Sequence, residues 1–481
     1  MTCKASDVEN LLRCGRCGLV AYCSTGCQKR DWAVHKADCS KWLYNVIARG
    51  DDLAEGIDAL LDMGTFDLNA RIIPSDKSSV TPLLLACLGQ SLEVARILLD
   101  KGADVNLRDD NTCTTLMGVC AAGSAEAAIL LMEHGADVNV QSTSGATALM
   151  FACTDVTLKT NIGSERARAA CSGAHADVAL ALVDRGANMD LQNSDGHTAL
   201  MMACDEGHVD VSLGLIDRGA DVNLQDNNGS TALMGACTKG HLEIAMALVN
   251  KGADMNLQKK VDGRTALMCA CSCGRVEVAL ALLERGADLN LQDNNGITAL
   301  IVASVGGYAT VARALLDKGA DASVSDRHGT TALIWACEMG RSEVALALLK
   351  SGKDVNIDAI DTKGRTALIS TCKKEDCMAG TQVALGEGMH GSYAVFMALL
   401  EKGADVNVVD RQTGFTALIW ACFEGRMDAA LAMVDKGADM NLHDIMGNGR
   451  TALMYACDCC HESLVLALVD KGADVNVQGN D

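Results

Sequence analysis

The most constraining feature of this chain is a phrase that reads Gly-Ala-Asp, then an aliphatic residue, then Asn. Its copies begin at Gly102, Gly135, Gly219, Gly252, Gly286, Gly403, Gly437 and Gly472, with near-copies at Gly186, Gly319 and Gly352. A segment of the length between two copies is too small to bury its own apolar face, so copies have to stack and share one core. The recurrence therefore predicts an array of stacked repeats in place of several separate domains.

A second phrase, Thr-Ala-Leu or a close variant, alternates with the first and marks where each repeat starts. It begins at Thr81, Thr114, Thr147, Thr198, Thr231, Thr265, Thr298, Thr331, Thr366, Thr416 and Thr451, which we use to number repeats 1 to 11. Eight of the ten steps between these threonines measure 33 to 35 residues, and the other two measure 51 and 50. The two longer steps predict insertions near residues 154–172 and 374–390.

Each repeat carries the signals of two short helices. In repeat 5, Thr231 has a side-chain oxygen of the kind that caps a helix N-terminus, and the small and aliphatic residues after it fall on one helical face until Gly240. A second helix is expected over 241–251, and Gly252 after it is typical of a left-handed helix end. The polar residues that follow predict a hairpin-like loop. The fold class expected is an all-α solenoid of helix-turn-helix repeats with hairpin loops.

Charge and composition narrow the range of functions. Residues 1–50 carry a net charge of +4 and the remaining residues carry −25, which together give the −21 of the whole chain. An acidic array disfavours nucleic-acid binding, because neutralising phosphates needs a basic surface; the acidity also keeps a long surface soluble. Neither a secretory signal nor a long apolar run is evident, so a soluble protein without membrane contact is expected in the cytoplasm, the nucleus or both.

The cysteines of the repeats point to the same compartments. Ten of the eleven repeats place a cysteine six residues after the starting threonine, and Ser304 takes that position in repeat 7. Stacked helices lie 8–10 Å apart, farther than a disulfide allows, so these thiols are expected to be reduced core residues. Reduced thiols fit the cytosol or the nucleus better than secretion.

The repeats resemble ankyrin repeats over roughly residues 45–481. The resemblance rests on the period, the Thr-x-Leu start, the Gly-His pairs at 207–208 and 240–241 and the Gly-Ala-Asp-Val-Asn end. It implies eleven ankyrin-like repeats over 81–481, preceded by a degenerate first repeat or N-terminal cap at 44–80. It also implies that the first helices and loop tips form a face that binds other proteins.

One position within the repeats varies strongly. The residue before the Ala-Cys pair ranges from Gly118 and Gly235 to large aromatic residues, and we call this position the variable slot. The aromatic members are Phe151, Trp335, Trp420 and Tyr455. They are candidate partner-binding residues, because aromatic anchors often dominate binding energy. The alternative, that they fill gaps between neighbouring repeats, stays open.

The residues before the repeats have a separate pattern. Six potential metal ligands fall within 26 residues: Cys14, Cys17, Cys23, Cys27, His35 and Cys39. So short a segment cannot bury enough apolar surface to fold alone, and bound metal would supply the missing free energy. Thiolate and imidazole ligands in pairs indicate tetrahedral zinc, which leaves no open position for catalysis. Unliganded core cysteines are the alternative.

The order Tyr-Cys-Ser-x-x-Cys-Gln, then Trp, then His-Lys-x-x-Cys resembles the MYND zinc finger, here over residues 1–43. The resemblance implies one zinc held by Cys14, Cys17, His35 and Cys39. A second zinc would use Cys23 and Cys27 with an earlier cysteine pair, of which only Cys3 is present. Such fingers bind short peptides that often contain proline.

These features favour a non-catalytic protein-interaction scaffold that binds one partner through the finger and another through the array. The array leaves no room for the catalytic domain of a MYND-type lysine methyltransferase, and no small-molecule substrate is expected. A substrate-recruiting component of a ubiquitin-transfer complex and a MYND-type transcriptional or chromatin regulator are the alternatives. Repeat 11 keeps the internal apolar pattern, so either the chain is truncated or this end contacts a partner or a second copy.

We expect one firmly bound zinc per chain and a second that is weak or absent, because the second site lacks a ligand. Elemental analysis of the purified, dialysed protein measures this directly. Two tightly held zinc ions per chain, or none, would contradict the expectation.

Overall fold

The computed structural model describes residues 12–13, 21–22, 67–69, 80–89, 91–154, 174–352, 355–373, 388–445 and 449–479. Most of the insertions expected near 154–172 and 374–390, and most of the expected cap at 44–80, lie outside these residues. The chain divides into two compact units, residues 1–227 and residues 228–481, which are described separately below. No helix among the described residues is both long and apolar enough to cross a membrane.

Unit 1 begins with a short antiparallel pair of strands, β1 (Leu12–Arg13) and β2 (Ala21–Tyr22), in which Leu12 pairs with Tyr22 and Arg13 with Ala21. Its described helices are α1 (Pro82–Leu88), α2 (Leu92–Asp100), α3 (Thr115–Ala121), α4 (Ala125–Glu133), α5 (Ala148–Ala152), α6 (Ala174–Asp184), α7 (Ala199–Glu206) and α8 (Val209–Asp217). Each odd-numbered helix starts a repeat, and each even-numbered helix completes it. Odd helices pack on odd helices and even on even, so the repeats stack in register.

Unit 2 continues the same order. Its described helices are α9 (Ala232–Lys239), α10 (Leu242–Asn250), α11 (Ala266–Ser272), α12 (Val276–Glu284), α13 (Ala299–Gly306), α14 (Ala309–Lys318), α15 (Ala332–Glu338), α16 (Ser342–Lys350), α17 (Ala367–Cys372), α18 (Gly388–Glu401), α19 (Ala417–Phe423), α20 (Met427–Asp435), α21 (Ala452–Asp458) and α22 (Glu462–Asp470). Here too the odd-numbered helices form one layer and the even-numbered helices a second. The predicted all-α repeat fold is confirmed.

The starting threonines cap the odd-numbered helices, as predicted for repeat 5. Thr298 has extended backbone, and its Oγ1 accepts the amide hydrogen of Ile301 at 3.3 Å. The same bond occurs at all eleven starting threonines. An amide in the first turn has no partner within its helix, so this bond satisfies a donor that would otherwise be buried without an acceptor. The requirement explains why Thr stays fixed along the chain.

The glycine of the recurring phrase ends the even-numbered helices. Helix α10 ends at Asn250, and Gly252 has φ of +90°. The amides of Gly252 and Ala253 donate to the carbonyls of Val249 and Leu248, both at 3.0 Å. A Cβ at Gly252 would meet no atom within 4 Å, so the left-handed backbone, and not crowding, selects glycine here.

The Asp and Asn of the phrase join one repeat to the next at several boundaries. Asp288 accepts the amide hydrogen of Asn290 through Oδ1 at 2.9 Å, which orients the Asn side chain. Oδ1 of Asn290 then accepts the amide hydrogen of Asp321 in the following repeat, also at 2.9 Å. We call this recurring pair of bonds the Asp-Asn ladder. Its other Asn acceptors include Asn69, Asn106, Asn139, Asn256, Asn407 and Asn441.

The hairpin loops form a second connection between repeats. Nε2 of Gln258 donates to the carbonyls of Gly263 in its own loop, at 2.7 Å, and of Gln292 in the next repeat, at 2.8 Å. The amide of Asn294 also donates to the carbonyl of Asp262 across the same boundary, at 2.8 Å. Because two bonds cross between loops, each loop is positioned by its neighbour as well as by its own helices.

The cysteines follow the prediction with one exception. All fifteen cysteines in the described residues are free, and nine of the ten that lie six residues after a starting threonine are buried. Burial raises the pKa of the Cys422 thiol to about 12, which keeps this thiol uncharged. Cys457 in repeat 11 is exposed, so its expected core position was wrong. No further described repeat packs on repeat 11 to cover it.

Replacing Thr298 with Val keeps the shape of the side chain but removes the oxygen that caps Ile301. We expect a loss of about 1 kcal/mol in the free energy of unfolding, measured by urea denaturation. Thr298→Ser keeps the hydroxyl and is expected to retain most of the cap. Equal stability losses in the two variants would argue against the capping bond.

Candidate interaction surface

The variable slot lies on the odd-numbered helices, four residues after the capping threonine. In repeat 8 the amide of Trp335 donates to the carbonyl of Thr331 at 3.0 Å, which places the slot in the first helical turn. The indole Nε1 of Trp335 donates to Oδ2 of Asp326 at 3.0 Å, and the side chain is half-buried. The slot residue of repeat 8 therefore contacts the hairpin loop that directly precedes its repeat.

Asp326 is a fixed acceptor for that contact. Its other oxygen, Oδ1, accepts the amide hydrogens of His328 at 2.8 Å and Thr330 at 2.9 Å, and the residue is buried. A carboxylate held by two loop amides cannot rotate without breaking both bonds. The loop thus orients the indole of Trp335.

Tyr455 in repeat 11 has the same arrangement. Its hydroxyl donates to Oδ2 of Asp444, which is buried in the loop before it. Burial, followed by this hydrogen bond to a carboxylate, raises the pKa of Tyr455 to about 12. The folded-state pKa lies above the ordinary value of 10, so the stabilisation is complete below about pH 10 and is lost as pH rises through 12.

Trp420 in repeat 10 differs from both. It is only 8% exposed, and its Nε1 has no acceptor among the described residues. The indole packs on Phe415, with ring centroids 4.9 Å apart, and the ammonium group of Lys373 lies 5.4 Å from its ring centroid. For Trp420 the packing role that competed with partner binding is therefore the better description of its surroundings.

Trp420 belongs to a group of four rings, Phe415, Trp420, Phe423 and Tyr455, that we call the aromatic cluster. Their centroid separations run from 4.8 to 6.2 Å, with tilted and edge-on geometries. Each such pair contributes roughly 0.5–1.5 kcal/mol beyond simple burial. Phe423 remains 41% exposed, and Met427, four residues later, is 39% exposed. The rings of the aromatic cluster thus pack against one another, while the side chains of Phe423 and Met427 stay accessible to solvent.

Sequence reasoning missed two of these four rings. It compared the repeats at the slot alone, whereas Phe415 precedes the capping threonine and Phe423 ends the helix. Aromatic residues make up only 3% of the chain, so two more within eight residues of Trp420 were a signal that a comparison at every position could have found. Phe151, the slot residue of repeat 3 in unit 1, is half-buried and lies outside this cluster.

The predicted zinc ligands Cys3, Cys14, Cys17, Cys23, Cys27, His35 and Cys39 lie outside the described residues. The described strands β1 and β2 end immediately before Cys14 and Cys23 in the sequence. In the described part of the chain, no three His, Cys, Asp or Glu side chains gather closely enough to hold a metal ion. The zinc sites therefore stay a prediction at the level of residues.

Curated proteins match this chain over a short stretch in the finger. N-lysine methyltransferase SMYD2 from Sus scrofa and from Homo sapiens is 53% identical over 32 residues, or 7% of this chain and 7% of each relative. The Rattus norvegicus protein is 47% identical over 38 residues, or 8% of this chain and 9% of that relative. The chain thus spans less than a tenth of the length of these relatives.

Family models cover far more of the chain. A model for ankyrin repeats in three copies matches residues 167–226, 213–293, 286–359 and 381–479, and a single ankyrin repeat model matches 80–110. A MYND finger model matches residues 1–39, and such a finger implies zinc binding. The chain therefore belongs to the ankyrin repeat family and carries a MYND finger at its N-terminal end.

Proposed function

We propose that this protein is a non-catalytic scaffold that binds one protein through the MYND finger and a second through the ankyrin array. Ankyrin repeats and MYND fingers are typically non-catalytic interaction modules, which supports this class of function. Two binding sites on one chain raise the effective concentration of one partner near the other. We place the finger at residues 1–43, the degenerate repeat at 44–80 and the eleven repeats at 81–481.

The observation that carries the proposal for the array is the contrast between its fixed and its variable positions. The capping threonine satisfies an amide at the start of its helix, and the Asp-Asn ladder bonds one repeat to the next. The residue in the variable slot takes part in neither the cap nor the ladder. In repeats 8 and 11 it is a half-buried aromatic side chain. Together with exposed Phe423 of the aromatic cluster, these side chains form the surface that we assign to a partner.

For the finger, the proposal assigns Cys14, Cys17, His35 and Cys39 to the firm zinc site. By the MYND pattern, the proposal assigns the Cys14–Cys17 pair and the Cys23–Cys27 pair to different zinc ions. Zinc here would hold the finger in a fold that presents a peptide-binding surface, and it would have no catalytic role.

The methyltransferase matches do not favour an enzyme. They cover 32 to 38 residues, which lie within the finger, while ankyrin repeats account for most of the remaining chain. Recruitment of substrates to a ubiquitin-transfer complex and regulation of transcription or chromatin are both compatible with a scaffold. They would differ in which proteins the finger and the array bind.

Affinity capture with three forms of the full-length protein tests the proposal. Cys14→Ser/Cys17→Ser removes two predicted zinc ligands, and Phe423→Ser/Trp335→Ala removes two apolar anchors of the array. We expect each double variant to lose a different set of bound proteins by at least tenfold, as measured by quantitative mass spectrometry. Ile129→Ser, at a partly exposed position on the even-numbered helix α4, is the matched control and should lose neither set.

Thermal unfolding of each variant separates lost binding from lost folding. If both double variants keep their fold and every bound protein of the intact chain, the scaffold proposal is wrong. If one variant loses all partners, the two sites do not act separately.

A further inference from the structure

The loop before repeat 7 holds a buried carboxylate with unused hydrogen-bonding capacity. Oδ1 of Asp293 accepts the amide hydrogens of Asn295 at 2.8 Å and Ile297 at 2.9 Å, and only 1% of the side chain is exposed. The second oxygen, Oδ2, is buried and has no hydrogen-bond donor among the described residues. Nε of Arg264 lies 3.9 Å away, which compensates the charge but is too far for a hydrogen bond. A buried oxygen of this kind favours the binding of a donor, because leaving it without one costs free energy.

In other loops the equivalent oxygen accepts a hydrogen bond from a side chain of the array itself. Four such pairs are His197 with Asp226, Trp335 with Asp326, Arg365 with Asp361 and Tyr455 with Asp444. In repeat 7 the slot residue and the residue before the threonine are Val302 and Ile297, whose side chains have no polar hydrogen. Arg264, at the position of His197, does not reach bonding distance. The positions that supply donors elsewhere therefore supply none to Asp293.

Val302 gives repeat 7 a small apolar slot residue beside this oxygen, and we call Asp293 and Val302 the repeat 7 site. In repeat 8 the loop acid is held by two loop amides in the same way, and its Oδ2 bonds the indole of the slot residue, Trp335. Val302 is half-buried, and its helix α13 packs between α11 and α15. The slot residue of α11 is Cys269, which is only 4% exposed. An aromatic ring from outside would therefore lie on Val302, with its polar hydrogen within reach of Asp293.

Basic loops flank the repeat 7 site in an array that is otherwise acidic. The loop before repeat 6 carries Lys259 and Lys260, and the loop before repeat 8 carries Arg327 and His328, whereas the loop before repeat 7 has no base. Burial raises the pKa of the Cys269 thiol and the charge of Lys259 opposes that rise, so this ammonium group lies near the slot of repeat 6. Two basic loops on either side of one site favour a partner with acidic residues.

The spacing of the repeats sets where those acidic residues would stand. Stacked helices lie roughly 8–10 Å apart, and an extended peptide advances about 3.3 Å per residue. A partner chain that runs along the array would reach each basic loop about three residues from a side chain bound at repeat 7.

We infer that the repeat 7 site binds a tyrosine or tryptophan side chain from an extended, acidic segment of the array's partner. The ring lies on Val302, its O–H or N–H donates to Oδ2 of Asp293, and the acids on each side meet the basic loops before repeats 6 and 8. A lysine or arginine would also donate to Oδ2, but Arg264 already lies beside it and the flanking loops repel a cation. The inference rests on the proposed function of the array as a protein-binding surface and specifies the chemistry of the segment bound.

A synthetic peptide with blocked ends, Glu-Glu-Ser-Ser-Tyr-Ser-Ser-Glu-Glu, tests the inference by calorimetric titration into the full-length protein. We expect it to bind at least tenfold more tightly than the same peptide with Phe in place of Tyr, because only the donor to Asp293 is lost. Asp293→Asn should remove this difference between the two peptides, since the amide nitrogen that replaces Oδ2 cannot accept the phenol hydrogen.

The chain itself offers the control for folding. Asn193 stands at the position of Asp293 in repeat 4, where its Oδ1 accepts the amide hydrogens of Asp195 at 3.0 Å and His197 at 2.8 Å. Asp293→Asn should therefore keep the loop and the thermal unfolding midpoint. Val302→Trp should supply an internal donor, as Trp335 does in repeat 8, and should weaken binding of the Tyr peptide at least tenfold. Arg411→Ser removes an exposed loop base three repeats away and should leave the affinity unchanged.

Four results would overturn the inference: no saturable binding of the Tyr peptide, equal binding of the Phe peptide, a Tyr–Phe difference that survives Asp293→Asn, or tighter binding of a peptide with Arg at the central position. Affinity capture fails separately from this titration. If Phe423→Ser/Trp335→Ala keeps every bound protein while the Tyr–Phe difference holds, the proposed aromatic surface is wrong and the repeat 7 site stands. If capture succeeds and the peptides do not differ, only the repeat 7 site is wrong.

Discussion

The hydrogen bond from the backbone of one repeat to the asparagine side chain of the repeat before it is the interaction on which the stack depends. Asp288 and Asn290 illustrate this bond. The Asp288 carboxylate accepts the amide hydrogen of Asn290 and orients its side chain, and the Asn290 side chain accepts the amide hydrogen of Asp321. Each bond contributes only about 1 kcal/mol, yet the same bond returns at successive repeats of each unit. The Gly-Ala-Asp-x-Asn phrase thus forms the junction between repeats. Its glycine ends a helix, its Asp orients the Asn side chain, and the Asn accepts a hydrogen bond from the next repeat.

A junction made largely from fixed residues leaves other positions free to differ. The variable slot lies in the first turn of a helix that is already capped by threonine, so its side chain can change without loss of the cap. The loop carboxylate limits this freedom, because Asp326 and Asp444 orient Trp335 and Tyr455. In repeat 10 the indole instead packs into the aromatic cluster, and Phe423 becomes the accessible ring. Fixed structural residues and variable aromatic residues therefore lie within a few residues of each other.

The fold followed from the sequence because local signals and the repeat period agree. Thr231 caps its helix and Gly252 ends the next one, and α10 differs from the expected 241–251 by a single residue at each end. The aromatic cluster could not be predicted in this way, because its rings come from different positions of three consecutive repeats and meet only after stacking. The predicted burial of Cys457 was wrong for a related reason. Its sequence position is that of a core residue, but burial there requires another repeat packed on repeat 11.

Amide hydrogen exchange of the ladder aspartates tests the central claim most directly. Asp288, Asp321 and Asp439 are exposed residues, so their amides would exchange rapidly if they were not bonded to the preceding repeat. The ladder predicts slow exchange at all three amides, and it predicts that Asn290→Ala releases the amide of Asp321 while that of Asp439 stays protected. Exchange of these amides in the intact protein at the rate of an unstructured peptide would contradict the account.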